Sequence, residues 1–163
     1  MEKIFVLVLS AALALSLTGC KTDAPAPENN SMTGQVEIAN PFISCDNMSD
    51  AAELAGFDLS LPDGAGKSEI RVIEGEMINV DFSAENGSGL SVRKAIGSED
   101  ISGDYNSYAE TQEITVGSLT ATLKGSDGKF NTAIWTDGEY SFALSCPDGM
   151  GQEEMSAIIA QIK

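Results

Sequence analysis

The chain has 163 residues, with 25 Asp and Glu against 9 Lys and Arg, no His, 3 Cys, 16 Gly and 5 Pro; that is enough for one domain with a core and too short for two. A net charge of −16 repels a phosphate backbone and excludes nucleic acid as a partner. The absence of His removes imidazole bases, Ser-His and Cys-His nucleophile pairs and every His-bearing metal site.

At the start of the chain, Lys3 precedes an apolar run from Ile4 to Leu15 broken only by Ser10. Such a run suits a secretory signal and falls short of the roughly 20 residues a membrane span needs. It ends in Leu17-Thr18-Gly19-Cys20, which resembles the lipobox of bacterial lipoproteins. The resemblance implies that residues 1–19 are a cleaved signal peptide and that Cys20 is acylated, with palmitate among its chains, and becomes the first residue. The lipid would then hold the chain on the extracytoplasmic face of the cell membrane. An acidic body is repelled by anionic lipid, so the domain itself needs no membrane-binding face. Residues 20–37 combine the lipidated Cys with a polar run containing Pro25 and Pro27, the composition of a flexible tether. A single domain over residues 38–163 remains.

With Cys20 acylated, Cys45 and Cys146 are left in a compartment where disulfides persist. A Cys45–Cys146 bridge would close a loop of about 100 residues, worth roughly 4–5 kcal/mol in the chain-entropy picture. Two reduced, buried thiols are the alternative.

Asn47 is placed to cap a short helix answered by Asp50, with Met48, Ala51, Ala52 and Ala55 as its apolar stripe and Gly56 as its stop. Period-two alternation then runs for about a hundred residues between turn pairs, the mark of antiparallel hairpins. A three-residue loop at Glu74-Gly75-Glu76 sets Ile70 and Val72 against Val80 and Ile78, and Leu90 and Val92 follow a turn at Asn86-Gly87. A type II′ turn at Gly117-Ser118 sets Ile114 and Val116 against Ala121 and Leu119. A two-residue turn at Asp137-Gly138 puts Trp135 opposite Tyr140 and Ala133 opposite Phe142, with Phe130 and Ile134 on the other face. Gln152 to Ile162 closes the chain as a helix, because Met155, Ile158, Ile159 and Ile162 share one face and Glu153 and Glu154 occupy the first turn. The fold class is α+β: a curved antiparallel meander sheet with a short N-terminal helix and a C-terminal helix packed on it.

Three ordered segments carry a further resemblance: NPFISCDNMSDAAELAGF (40–57), VRKAIGSEDISGDYNSY (92–108) and IWTDGEYSFALS with EEMSAIIAQI (134–145, 153–162). Together they resemble an uncharacterised domain family of secreted clostridial and gut bacterial lipoproteins. The last pair is also similar to the ending of lipoprotein-sorting and anti-sigma-associated domains, which implies a half-barrel-like sheet. The resemblance implies no known activity.

Candidate chemistry concentrates in residues 97–106. Asp100, Ser102 and Asp104 alternate in a way that offers oxygens to Ca²⁺, although Tyr105 and Thr111 stand where an EF-hand needs Gly and Glu. The plainer reading is a loop whose Asp and Ser bond their own backbone. Tyr105 and Tyr108, with Asp104 and Asn106, are candidates to line a carbohydrate or peptide groove, or to cover a sheet edge. Trp135, Tyr140 and Phe142 are candidates to floor an apolar pocket, or ordinary cross-strand core. No G-x-S-x-G elbow, P-loop or Rossmann glycine pattern occurs, so neither an enzyme nor a cofactor is expected. The reading is a membrane-anchored, monomeric, non-enzymatic domain that binds or senses an extracytoplasmic protein or small molecule. A carrier of lipid or another hydrophobic ligand is the first alternative, and a carboxylate-based hydrolase the second.

Overall fold

The structure, a computed structural model, describes residues 40–163. The expected signal peptide (1–19), the expected lipidated Cys20 with its tether (20–37) and the first two residues of the expected domain lie outside the described residues. No helix among those described is long and apolar enough to cross a membrane.

The fold is α+β, an open antiparallel sheet with two helices. In chain order the elements are β1 (Ile43–Cys45), α1 (Met48–Ala55), β2 (Ser68–Ile73), β3 (Met77–Ser83), β4 (Gly89–Ile96), β5 (Glu110–Val116), β6 (Leu119–Ser126), β7 (Lys129–Asp137), β8 (Tyr140–Met150) and α2 (Gln152–Ile159). The eight strands form one sheet in the order β1-β2-β3-β4-β8-β7-β6-β5. This corrects the simple meander. The chain meanders to the middle of the sheet at β4, crosses to the far edge, and meanders back until β8 closes against β4.

Local signals set the hairpins. Ile70 and Val72 pair with Val80 and Ile78, and Ile114 and Val116 pair with Ala121 and Leu119. Gly117 has φ 62 and Ser118 has no positive φ, which is the type II′ signature. Asp127 (φ 56) and Gly128 (φ 72) make the type I′ turn between β6 and β7. The last hairpin differs from expectation. Trp135 pairs with Phe142 and Asp137 with Tyr140, so the turn is Gly138-Glu139 and not Asp137-Gly138. Gly138 takes φ 61 at the first turn position, where type II′ needs a glycine, and Asp137 is spared a left-handed backbone. Phe130 is a second correction. Against β6, the successive pairs Lys124–Thr132 and Gly125–Phe130 leave Asn131 as an extra residue, which turns Phe130 to the core side.

One face of the sheet is apolar, with Val72, Ile78, Val80, Val92, Ala121, Leu123, Ala133 and Leu144 all fully buried. Both helices close this face: Ala51 and Ala55 from α1, and Met155 and Ile159 from α2, join the same core cluster. In α1, Asn47 accepts from the Asp50 amide at 2.9 Å and Gly56 ends the helix at φ 82. Helix α2 stops at Ile159, three residues earlier than its apolar stripe predicts. Its last amides bond three residues back, Gln161 to Ile158 and Ile162 to Ile159, and this tighter winding still delivers Ile162 to the core.

Cys45 and Cys146 are free thiols, which corrects the expected bridge. β2, β3 and β4 lie between their strands. At about 4.8 Å per strand spacing, that places them beyond the roughly 7 Å Cα separation a disulfide tolerates. Burial, with negative charges from Asp50 and Asp46, raises the pKa of Cys45, and burial likewise raises that of Cys146. The raised pKa keeps both as thiols and not thiolates at neutral pH. Alkylation of the denatured chain without reductant is expected to label both; a Cys45–Cys146 cross-linked peptide in the map would contradict this.

Candidate functional site

The crossover from β4 to β5 lies on the second, polar face of the sheet, and this is where the sequence-predicted loop sits. Residues 97–109 form a strap over the middle strands, and side chains from the strands beneath hold it. Arg93 on β4 donates through Nη1 to the carbonyls of Ile101 (3.0 Å) and Ser102 (2.9 Å), while its Nε bonds Asn79 Oδ1 at 2.8 Å. Lys124 on β6 donates to Asp100 Oδ2 at 3.0 Å. Thr132 on β7 donates to Asp104 Oδ2. The Ala109 amide donates to Ser126 Oγ at the far end. Gly103 lets the strap lie this low: it has φ +66, and a Cβ there would stand 2.5 Å from Arg93 Nη1. A strap away from the sheet ladders needs other partners for its backbone groups, so the polar residues of this face answer those of the strap.

The candidate ion ligands are engaged within the protein. Asp100 Oδ1 accepts from the amide (3.0 Å) and hydroxyl (2.6 Å) of Ser102, and its Oδ2 holds Lys124. Asp104 Oδ1 accepts from the amide (2.9 Å) and side-chain nitrogen (2.8 Å) of Asn106; its Oδ2 accepts from Tyr108 Oη at 2.6 Å and from Thr132. All four carboxylate oxygens thus carry donors from the chain. Among the described residues no three of His, Cys, Asp or Glu are grouped to hold a metal.

Partial burial raises the pKa of Asp104, but the hydrogen bonds from Thr132, Tyr108 and Asn106 outweigh it and hold the carboxyl down to about 2. The bond to Asp104, then burial, raises the pKa of Tyr108. A carboxyl whose folded pKa lies below its unfolded value of about 3.9 stabilises the fold above that value, and the gain is lost as pH falls toward 2. Asp104→Asn is therefore expected to be less stable than the parent at pH 6, with the gap closing between pH 4 and 2 in urea titrations. A gap constant over that window would contradict the assignment.

Beneath the strap lies a hollow of about 650 Å³, bordered by Asp104, Asn106, Ser107 and Tyr108 from the strap and by Asn131 and Ser145 from the sheet. Tyr105, between two of these residues, is 97% exposed. The structure therefore brings Asp104 and Tyr108 together and leaves Tyr105 beside them. Trp135 and Tyr140 lie elsewhere, toward the apolar face. Trp135 is 3% exposed and stacks on Phe142 with ring centroids 5.3 Å apart. Tyr140 packs on Phe57 at 5.1 Å.

Sequence reasoning missed Lys94, the buried lysine of the apolar face. Its Nζ donates to the Asp58 carbonyl at 2.6 Å and stands 4.5 Å from the Tyr140 ring, 5.3 Å from Phe142 and 5.6 Å from Phe57. Burial lowers its pKa, against the opposing pull of Asp58 and Asp137. It fastens the segment after α1 to the sheet through a carbonyl and three aromatic faces. The position was readable, because Lys94 continues the inward parity of Leu90 and Val92. Asn131 and Ser145 were missed as well; neither carries a local signal.

A second, smaller groove of about 270 Å³ lies between α2 and the β3–β4 hairpin, with Phe82, Leu90 and Ile158 in its lining. Asn86 Nδ2 donates across it to Glu154 Oε1 at 2.8 Å, and the Asp63 amide donates to Gln161 Oε1 at 3.0 Å.

The family model described as "Domain of unknown function (DUF4367)" matches residues 60–162. No curated protein and no solved structure matches the chain.

Proposed function

The chain belongs to the family described as "Domain of unknown function (DUF4367)", and from that premise we propose a lipid-anchored, extracytoplasmic, non-enzymatic binding or sensing domain whose site is the hollow under the 97–109 strap. The observation that carries the reading is the hollow itself: about 650 Å³, large enough for a small molecule and built of hydrogen-bonding side chains from two separate parts of the chain. Its wall is fixed before any ligand arrives, because Arg93, Lys124 and Thr132 pin the strap. Pre-organisation of this kind lowers the ordering cost of binding. The anchor is supported by the Leu17-Thr18-Gly19-Cys20 segment, which resembles a lipobox, and the resemblance of the closing segments to lipoprotein-sorting domains fits a domain that works at a membrane surface.

Two measurements test the reading. In a bacterial host, the chain is expected in the membrane fraction with an acylated Cys20 at its N-terminus, and Cys20→Ser is expected to release it. A thermal-shift screen of hydrophilic small molecules is expected to raise the melting temperature of the parent, with the shift lost in Asn106→Ala. An unprocessed, lipid-free chain overturns the anchor. Hits that survive Asn106→Ala unchanged overturn the site.

A further inference from the structure

Resting on the reading of this hollow as the binding site, we propose that its ligand is a neutral saccharide, hydrogen-bonded by the amides and hydroxyls that line it. The lining is neutral apart from Asp104, in a chain of net charge −16. Asp104 offers nothing to a cation, since both of its oxygens are already occupied by donors of the chain. No Lys or Arg lines the hollow to receive an anion. What is left is a set of neutral polar groups held in fixed positions. Asn131 Nδ2 donates to the carbonyls of Cys146 (3.2 Å) and Pro147 (3.0 Å), which commits its nitrogen and leaves Oδ1 as an acceptor. Asn106 is committed in the same way through Nδ2 to Asp104, again leaving Oδ1. The hydroxyls of Ser107 and Ser145 have no hydrogen-bond partner among the described residues, and each both donates and accepts.

Fixed amide acceptors with free hydroxyls match the alternating donor and acceptor character of a polyol. An extended peptide is matched less well, because peptide capture relies on a row of backbone groups at a sheet edge, and the edges of this sheet are β1 and β5. The hollow lies over the inner strands instead.

The experiment is a titration of the isotopically labelled full chain, followed by amide chemical shifts, with maltohexaose, cellohexaose, xylohexaose and chitohexaose in turn and with an uncharged Ser-Gly hexapeptide as the comparison. At least one oligosaccharide is expected to move the amides of residues 102–108, 131 and 145, and Ser145→Ala is expected to weaken that binding about fivefold, the loss of one hydrogen bond. Glu85→Gln, in the separate α2 groove, is expected to bind as the parent does. Shifts at these amides from the peptide and from no sugar would overturn the saccharide class and keep the hollow as a site. Shifts from neither would overturn both, and sugar binding indifferent to Ser145→Ala would overturn the hydrogen-bonded geometry.

Discussion

Replacing Gly125 by alanine is expected to cost about 3 kcal/mol or more, measured as a lower urea midpoint at unchanged slope. A Cβ at this position would stand 1.9 Å from the Lys129 carbonyl oxygen and 2.6 Å from Phe130 Cα. Both are backbone atoms of the adjoining strand, so no side chain can move aside to relieve the clash. Gly125 pairs with Phe130 at the place where the β6–β7 register shifts and Asn131 bulges, and on the other side of β7 the same stretch pairs with β8 across a second shift, from Thr132–Ser145 to Phe130–Met150. Opening the strands to admit the methyl group would withdraw Phe130 from the core and disturb Asn131 at the edge of the hollow. Gly89→Ala serves as the control. Nothing lies within 4 Å of a Cβ there and its φ is outside the left-handed region, so a change within about 0.5 kcal/mol is expected. Equal effects at the two glycines would mean that the bulge does not have the described geometry.

The second large effect is expected at Trp135. Truncation to alanine should cost about 3–5 kcal/mol, which for a domain of this size lowers the melting temperature by roughly 10 °C or more. The residue is 3% exposed, stacks on Phe142 and has the fully buried Ala121 as its cross-strand partner. Tyr105→Ala should change stability by no more than about 0.5 kcal/mol, because the ring is almost wholly in water. The two aromatics are candidates of equal standing in the sequence, and they separate only by where the sheet puts them. A Trp135→Ala variant as stable as the parent would mean that this ring lines an open cavity, as a hydrophobic-ligand carrier requires.

That separation illustrates what the sequence discloses. Local periodicity was enough for the registers of Ile70–Val72 against Val80–Ile78 and of Ile114–Val116 against Ala121–Leu119, because each is fixed by a short turn and a period of two. The apolar stripe of α2 was legible for the same reason. The partner of β4 was not. Nothing near Leu90–Ile96 states that β8 and not β5 lies beside it, since that choice depends on residues about fifty positions away. From this one pairing follows the crossover, and from the crossover follows the strap. The sequence therefore flagged Asp100, Ser102 and Asp104 by residue type but could not show that Lys124 and Thr132 would meet them. The other misses are also physical. A Gly-first type II′ turn moved the β7–β8 hairpin by one residue. One inserted residue, Asn131, turned Phe130 inward and placed a side-chain amide at the hollow.

The proposed site depends most on the strap being a fixed wall. Its amides at Ser102, Asp104 and Asn106 donate to Asp100 Oδ1, Ser102 Oγ and Asp104 Oδ1, although none belongs to a helix or strand. Native-state hydrogen exchange on the ligand-free chain measures this directly. Those three amides are expected to be protected and to lose much of that protection in Asp104→Asn; exchange at unstructured-chain rates in the parent would contradict a preformed site.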